Sequence, residues 1–219
     1  MKHYSEFGLT PLMAVVDIET LDTAITAVIA SIGCVVVNVF TGEVISEFYE
    51  RCEMLHQPTT QGRTKDQNTL DWWEKQAIDC MPAYLEVFDK GLERDALYNV
   101  LPRFNDFLVK SFDGERVQLM GNGPEFDNAK LEHAMHQFDI KPAWVHGANQ
   151  SLRTAVWMGR MIAGVDPKYA LELAEGEVKH HALHDACHEA QYLCAIFQAL
   201  IPTEYEYMNA NGELSTSEQ

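Results

Sequence analysis

Short hydrophobic runs separated by turn residues occupy the first fifty residues of the chain. Residues 13–17 form an apolar run that ends in an acid, residues 27–40 are rich in isoleucine and valine, and residues 43–52 follow the turn at Thr41 and Gly42. Runs of this length, bounded by turn residues, are typical of strands, and two runs joined by a tight turn predict a hairpin. We therefore expect three strands here, the second and third of them paired.

Helical spacing dominates the rest of the chain. Residues 93–110, for example, place apolar side chains three and four positions apart, which is the period of an amphipathic helix. Residues 1–10 resemble a short arm, and the polar residues 53–68, with Pro58 and Gly62, resemble a loop. We predict helices at 69–77 (capped by Asn68 or Thr69), 82–89, 93–110, 126–138, 152–163 and 182–200 (stopped by Pro202), a strand at 117–120, and a frayed polar tail at 209–219. A hairpin followed by alternating helices and strands predicts a mixed sheet with helices packed against it.

Composition is that of a packed globular protein. The 219 residues, 47% hydrophobic and 22% charged, suit one domain, or one domain with decorations. No apolar stretch approaches the roughly 20 residues of a membrane span, and the N-terminus lacks the apolar core and cleavage site of a signal peptide. We therefore expect a cytoplasmic protein without a membrane partner.

The cysteine pattern indicates no metal or redox motif. No two of the five cysteines form a C-x-x-C pair, so neither a zinc knuckle nor a thioredoxin-type site is predicted. In a reducing compartment we expect buried or half-buried free thiols. The five are Cys34, Cys52, Cys80, Cys187 and Cys194.

The charge balance limits the ways in which this protein can bind nucleic acid. Sixteen basic and 33 acidic residues give a formal charge of −17. Tight non-specific binding to duplex phosphates normally requires a basic surface. The balance is compatible with an enzyme that holds only a chain end and lets divalent ions supply positive charge locally.

Asp17, Ile18 and Glu19 form an acid-x-acid motif at the end of the first predicted strand. Alternation along a strand places residues 17 and 19 on the same face, about 7 Å apart. Two such carboxylates are costly unless a positive charge lies between them, and Mg²⁺ and Mn²⁺ prefer oxygen ligands. For this motif alone, ordinary surface acids at a strand-to-loop transition are the favoured interpretation.

Two further motifs place acids at the starts of helices. Asp127 follows a glycine-rich turn that contains Asn122, and it lies in the first turn of a predicted helix, where the helix dipole alone can explain an acid. His180 precedes Asp185 by five residues, in the loop before the long last helix. A histidine with a pKa near neutrality is suited to deprotonating water. The simpler interpretation is a His-rich helix start with solvated rings, and His181 and His184 are expected to be no more than that.

Taken together and in this order, these motifs resemble the DEDDh exonucleases of the ribonuclease H-like fold. The nearer resemblance is to a phage and bacterial branch that includes the exonuclease VIII catalytic domain, the T4-type exonuclease A and the mycobacterial exoribonuclease-like domain. It covers roughly residues 13–200 and is carried by DIET at 17–20 with ASIG at 30–33, TLDWWEKQ at 69–76, and GNG at 121–123 leading to FDN at 126–128. The chain departs from the branch at Ser151, where an acid is usual, and at His184, where Asp is frequent.

The resemblance implies an α/β fold, a ribonuclease H-like mixed five-stranded sheet flanked by helices, in which strands 1–3 are antiparallel neighbours. It implies a single exonuclease domain over residues 1–219, with a core at about 11–202 and a polar tail at 203–219. The implied host is a bacterial or phage-infected cell.

The implied activity is a 3'-to-5' exonuclease that acts on the 3' ends of single-stranded DNA or RNA and releases nucleoside 5'-monophosphates. Two Mg²⁺ or Mn²⁺ ions would lie between the carboxylates, with His180 as general base. Asp17 would bridge both ions, Glu19 and Asp185 would complete one site, and Asp127 would act mainly on the other.

The resemblance implies the substrate contacts less directly than it implies the metal ligands. Ile18 and Thr20 would hold the terminal nucleotide through backbone groups, with Asn122 nearby, and aromatic rings would stack on bases. The stacking candidates are Phe126 and Trp72 or Trp73, unless one tryptophan packs in the core and only the other faces the site. Four cations are candidates for phosphate contact, although an ordinary surface cation is the favoured interpretation of each: Arg63, Lys75, Lys130 and Arg153.

Two alternatives to the exonuclease stay open at this point. One is a non-catalytic nucleic-acid-binding module on the same fold, and the other is a metal phosphodiesterase that acts on small nucleotides. No motif chooses between DNA and RNA, because that choice depends on contacts to the 2'-OH. The oligomeric state is equally open, a homodimer included.

Overall fold

A five-stranded mixed sheet organises the chain in the computed structural model, which describes residues 4–201, 207–208 and 214–215. The strands are β1 (Leu12–Thr20), β2 (Ile29–Asn38), β3 (Val44–Arg51), β4 (Leu119–Gly121) and β5 (Asn149–Ser151), in the order β3-β2-β1-β4-β5. The first three are antiparallel neighbours, and β1-β4 and β4-β5 run parallel. The predicted hairpin, the mixed sheet and its five strands are thus confirmed. Two short strands, β6 (Tyr207–Met208) and β7 (Leu214–Ser215), pair separately.

Eight α-helices are present in the described residues. They are α1 (His56–Gln61), α2 (Gln67–Asp79), α3 (Met81–Phe88), α4 (Leu97–Phe112), α5 (Asp127–Gln137), α6 (Leu152–Met158), α7 (Pro167–Ala170) and α8 (Ala182–Leu200). The last helix spans the predicted residues. Pro202 and most of the predicted tail lie outside the described residues. No helix among them is both long enough and apolar enough to cross a membrane.

The loop predicted at residues 53–68 was wrong, because it contains α1 and the start of α2. Glu53 caps α1: its carboxylate accepts hydrogen bonds from the backbone N–H groups of Leu55 and His56. Gln57 is buried, and its side-chain amide exchanges hydrogen bonds with the backbone of Ile29. Polar residues therefore build this segment through specific bonds, which a hydrophobic pattern does not reveal.

Other predicted boundaries shift by a few residues. α2 is capped by Asp66 and not by Asn68 or Thr69, because the Asp66 carboxylate accepts the Thr69 N–H at 3.1 Å. The helix predicted at 152–163 is two pieces, since α6 ends at Met158 and a π-helical turn follows at Gly159–Ala163. The strand β5 and the short helix α7 were not predicted from the residues.

Alternate residues of β1 enter two different cores. Ala14, Val16 and Ile18 pack with α4 and α5 on one face of the sheet. Met13 and Val15 pack with α6 and α8 on the other face. The odd-numbered side chains of β1 therefore face α8, and this face leads directly to residues 17 and 19. The five cysteines are free, and each is buried or half-buried as expected.

Two glycines allow helix starts to approach the sheet closely. Gly33 pairs with Asp17 across β1 and β2, and a Cβ atom there would collide with the backbone of Ala182 and Leu183 at the start of α8. At Gly121, the end of β4, a Cβ atom would lie 2.8 Å from Oδ2 of Asp127. A side chain at Gly33 would push the start of α8 away from the sheet, and one at Gly121 would displace the Asp127 and Asn128 side chains.

Gly33→Ala is expected to destabilise the protein by about 1–3 kcal/mol, because the backbone of α8 has to move to admit one methyl group. The measurement is the free energy of unfolding in urea, with Gly147→Ala as the control. Gly147 is exposed, and a Cβ atom there meets only the Arg116 side chain at 3.8 Å. Equal stabilities of the two variants would contradict the close approach.

Candidate active site

A cavity of about 510 Å³ opens where β1 ends. Its floor is the end of β1, one wall is the start of α2, and the opposite wall comes from the segment that leads into α8. The residues that line it are Asp17, Ile18, Glu19, Thr20, Asp22, Thr23, Asp66, Asn68, Thr69, Trp72, Trp73, Phe126, His180 and Asp185. Nine of these were singled out from the sequence as site residues.

Asp17 and Glu19 reach the cavity from the α8 side of the sheet. Asp17 is partly accessible, and Glu19 is 8% exposed. Their positions follow from strand alternation, because Met13 and Val15 on the same face pack against α8. The shared face predicted for the two acids is therefore present.

Asp127 is the first residue of α5 and is only 3% exposed. The start of α5 is held in place by Asn128, whose side-chain N–H group donates to the carbonyl of Leu119 at 3.0 Å and to Oδ1 of Asn149 at 2.8 Å. These bonds tie the helix to β4 and β5. Asp127 is not among the residues that line the cavity, but its charge acts on both Asp17 and Glu19, so it lies close to them.

His180 and Asp185 lie together at the start of α8. The backbone N–H of His180 donates to Oδ2 of Asp185 at 2.9 Å, and its ring Nδ1 lies 4.0 Å from the same oxygen. His180 has a φ of 63°, in the left-handed region that residues other than glycine seldom occupy. The loop is thus folded back so that the histidine and the acid share one edge of the cavity.

Crowding of carboxyl groups dominates the electrostatics of the site. Burial raises the pKa of Asp17 well above its usual range, and the carboxyls of Glu19, Asp127, Glu189 and Asp185 raise it further. Burial, followed by Asp185 and Asp127, raises the pKa of Glu19 to about 8. Such a group is stable as an anion only when a cation lies beside it.

The pKa values of Asp127 and Asp185 are raised as well. Burial raises the pKa of Asp127 to about 7, opposed mainly by the nearby charge of Lys130. Burial raises the pKa of Asp185 to about 6, opposed by the hydrogen bond from the His180 backbone. Burial lowers the pKa of His180, and the charge of Lys179 lowers it further, so its ring is neutral at neutral pH and able to accept a proton.

Glu189 is a carboxyl group near the site that sequence reasoning missed. It is 7% exposed, one helical turn beyond Asp185 on α8, and burial followed by the charges of Asp127 and Asp185 raises its pKa to about 8. The spacing of four residues from Asp185 was the available sign, since such residues share one helix face.

His181 and His184 are not the solvated rings that were expected. The His181 ring stacks between Tyr49, with centroids 4.4 Å apart, and His184, at 3.9 Å. Nδ1 of His184 accepts the Val178 N–H at 2.9 Å. Burial lowers the pKa of His181 to about 4, and the stacking contacts show that both rings pack against neighbouring groups.

The substrate-binding candidates divide into two groups. Ile18, Thr20, Trp72, Trp73 and Phe126 border the cavity, although Trp73 is only 1% exposed and belongs to an apolar cluster with α3. Asn122 is absent from the described residues that line the cavity. Its carbonyl accepts the Arg153 N–H at 3.2 Å, which gives it a structural role in the turn.

Two of the four candidate phosphate contacts are not surface cations. Arg63 is 2% exposed and donates to the carbonyl of Ala27 at 2.7 Å. Lys130 is 1% exposed, with Nζ 3.0 Å from the centre of the Phe126 ring. Arg153 is exposed and pairs with Glu125, and Lys75 is exposed. None of the four lines the cavity in the part of the chain that the structure describes.

The donor set fits a divalent cation. Glu19, His180 and Asp185 each offer one ligand atom, and the three atoms lie within 4.8 Å of one another. Asp17 and Asp127 add carboxyl groups close to this set. These carboxyl groups are crowded enough to raise one another's pKa values. Several oxygen ligands at one place match the preference of hard divalent ions.

Comparison with known proteins identifies the family. A family model described as the 3'-5' exoribonuclease Rv2179c-like domain matches residues 13–197. The chain belongs to this family. It is accordingly a 3'-5' exonuclease, a hydrolase of phosphodiester bonds. Among curated proteins none matches the chain, and the narrower resemblance to a phage and bacterial branch stays a prediction.

Solved structures share the fold of this family member. The nuclease domain of 3'hExo, a DEDDh family member bound to rAMP, is 14% identical over 86% of this chain and 92% of that chain, with a TM-score of 0.55. A 3'-exonuclease that recognises the 3' end of a histone mRNA stem-loop is 13% identical over 86% and 82%, with a TM-score of 0.53.

A third structure, the zinc-bound complex of E. coli exonuclease I with single-stranded DNA, is 12% identical over 86% of this chain but only 40% of that chain, with a TM-score of 0.53. These likenesses confirm the ribonuclease H-like fold expected from the sequence.

The raised carboxyl pKa values predict that the metal-free protein loses stability as the pH rises. Between about pH 4 and about pH 8 the folded state holds protons on these groups that the unfolded state has lost, so stability falls through this window. The pKa values of Asp185, Asp127 and Glu19 are about 6, 7 and 8. We expect the unfolding free energy in EDTA to be lower at about pH 8 than at about pH 5.5.

Glu19→Gln provides the control, because removing one of these acids should flatten the pH dependence and stabilise the metal-free protein at high pH. An identical pH dependence in the variant would show that the site carboxyls do not cause it.

Proposed function

We propose that this exonuclease removes nucleotides one at a time from the 3' end of single-stranded DNA or RNA, with two Mg²⁺ or Mn²⁺ ions and with His180 as general base. The observation that carries this proposal is the meeting of Glu19, Asp185 and His180 within 4.8 Å at one edge of the cavity. Asp17 and Asp127 lie close to that cluster. The charge of Asp127 raises the pKa of Glu19, and the charges of Glu19 and Asp185 raise the pKa of Asp17.

The acids divide between the two ions as follows. Asp17, whose pKa is raised by burial and then by the neighbouring carboxyls of the site, would help to hold both ions. Glu19 and Asp185 would complete one site, and Asp127 would serve the other, partly through water. When bound, the ions neutralise the carboxylates and polarise the scissile phosphate, as in other two-ion sites.

His180 performs the proton transfer. Its neutral ring takes a proton from the attacking water, and the water oxygen forms the new bond to phosphorus. The bond from phosphorus to the 3' oxygen of the preceding nucleotide breaks, that oxygen takes a proton from solvent to become the new 3'-OH, and the His180 ring returns its proton to solvent. The products are a nucleoside 5'-monophosphate and a chain shortened by one nucleotide. The hydrogen bond from the His180 backbone to Oδ2 of Asp185 keeps the base beside the acid cluster.

The cavity suits the end of a single strand. Its volume of about 510 Å³ is within the range of pockets that take one nucleotide-sized ligand. Phe126 borders it and would stack on a base, and Ile18 and Thr20 border it as well. Nucleic acid or a nucleotide is bound by the similar structures of 3'hExo and E. coli exonuclease I.

Asp17→Asn, Asp185→Asn and His180→Ala should each lower the rate by at least about a hundredfold, because each removes a charge or a base that the reaction requires. The assay is digestion of end-labelled single-stranded DNA, RNA and duplexes with Mg²⁺ or Mn²⁺. Asp106→Asn, at an exposed position on α4, is the control and should be fully active.

Stepwise loss from the 3' end is expected with the wild type, and EDTA should abolish it. Activity in EDTA or an endonucleolytic ladder would refute the proposal. A preference for the p-nitrophenyl ester of thymidine monophosphate over oligonucleotides would favour a phosphodiesterase of small nucleotides, and binding without any hydrolysis would favour a non-catalytic module.

A further inference from the structure

The paired tryptophans of α2 have no part in the chemistry described so far. Trp73 is fixed: its indole N–H donates to the carbonyl of Thr20 at 3.0 Å, and its ring is 1% exposed among the apolar residues of α3. This bond ties α2 to the last residue of β1. A side chain that packs against Trp73 therefore keeps its position relative to Asp17 and Glu19.

Trp72 stands between Trp73 and the histidine. Its ring lies edge-on to Trp73, with centroids 4.9 Å apart and an angle of 76°. It also lies edge-on to His180, at 4.9 Å and 83°. Edge-to-face pairs at this separation are attractive beyond the area that they bury, so the two contacts form a chain of rings from the end of β1 to the histidine.

The backbone of His180 is fixed by other contacts. Its N–H bonds to Asp185, and the preceding carbonyl, that of Lys179, accepts the Cys80 thiol at 3.7 Å. The ring is less constrained, because within residues 4–201 no hydrogen bond to it is formed and its Nδ1 is 4.0 Å from Asp185, beyond hydrogen-bonding distance. The ring-to-ring contact that the structure describes for His180 is the edge-on packing of Trp72, and this contact can orient the ring.

We propose that Trp72 is a positioning residue, which holds the His180 ring in the orientation needed to take a proton from water. This inference rests on the proposed function, in which His180 is the base. It replaces the expectation that Trp72 stacks on a base of the substrate. The two roles differ in what they change: orientation of the base affects the chemical step, and stacking affects substrate binding.

The test is a double-mutant cycle measured by single-turnover digestion of an end-labelled oligonucleotide with Mn²⁺. Trp72→Leu should lower the rate of the chemical step about tenfold, a part of what a general base contributes, with the KM changed less than about twofold. Trp72→Phe, which keeps an aromatic edge, should recover most of the rate. In a His180→Ala background, Trp72→Leu should have no further effect, because the group on which it acts is gone.

Trp157→Leu is the matched control. Trp157 is 59% exposed on α6 and does not border the cavity, so its replacement should leave rate and KM unchanged. Melting temperatures of all variants in EDTA identify any loss of folding. If Trp72→Leu is unfolded, Trp72→Met takes its place in the cycle, and His180→Ala is assayed with excess enzyme over hours so that its residual rate is measurable.

Two results would overturn the inference while leaving the proposed function intact. One is a raised KM with an unchanged chemical step, which would assign Trp72 to base stacking. The other is an equal loss of rate from Trp72→Leu with and without His180. If His180→Ala is itself as fast as the wild type, or the wild type is inactive with Mn²⁺, then the proposed function fails and not merely the role of Trp72.

Discussion

Close approach of two helix starts to β2 and β4, the strands that flank β1, is the constraint on which this structure depends. Gly33 admits the backbone of α8 against β2, directly across from Asp17, and Gly121 admits Asp127 against the end of β4. A side chain at Gly33 would collide with the backbone of α8, and one at Gly121 would collide with the side chains of Asp127 and Asn128. Because of these two contacts, acids that lie far apart in the sequence are brought to the end of a single strand.

Bringing these acids together costs electrostatic free energy, and the way in which this cost is offset explains the function. Burial and mutual repulsion raise the pKa of Asp17, Glu19, Asp127 and Asp185 together, and the nearest buried cation, Lys130, offsets only part of the effect on Asp127. A chain of formal charge −17 can meet a phosphate substrate at this place if divalent ions are bound there. The same ions relieve the repulsion, so the acidic composition and the enzyme's activity have a common explanation.

Much of the fold and site could be predicted from the sequence, for physical reasons specific to each element. Strand alternation placed Asp17 and Glu19 on one face, and α8 spans the residues predicted for it. The polar helix α1 was missed because buried side-chain hydrogen bonds, such as those of Gln57, stabilise it. Long-range packing was equally invisible: the burial of Arg63, the stacking of His181 and the contact of Trp72 with His180 each depend on an element distant in the sequence.

Titration of Mn²⁺ into metal-free protein by calorimetry tests the central claim most directly, since the crowded carboxylates are explained here as a site for divalent ions. The wild type should bind two ions, and Asp17→Asn should lose most of that binding although it folds normally. Absence of Mn²⁺ binding in the wild type, or binding unaffected by Asp17→Asn, would contradict the account.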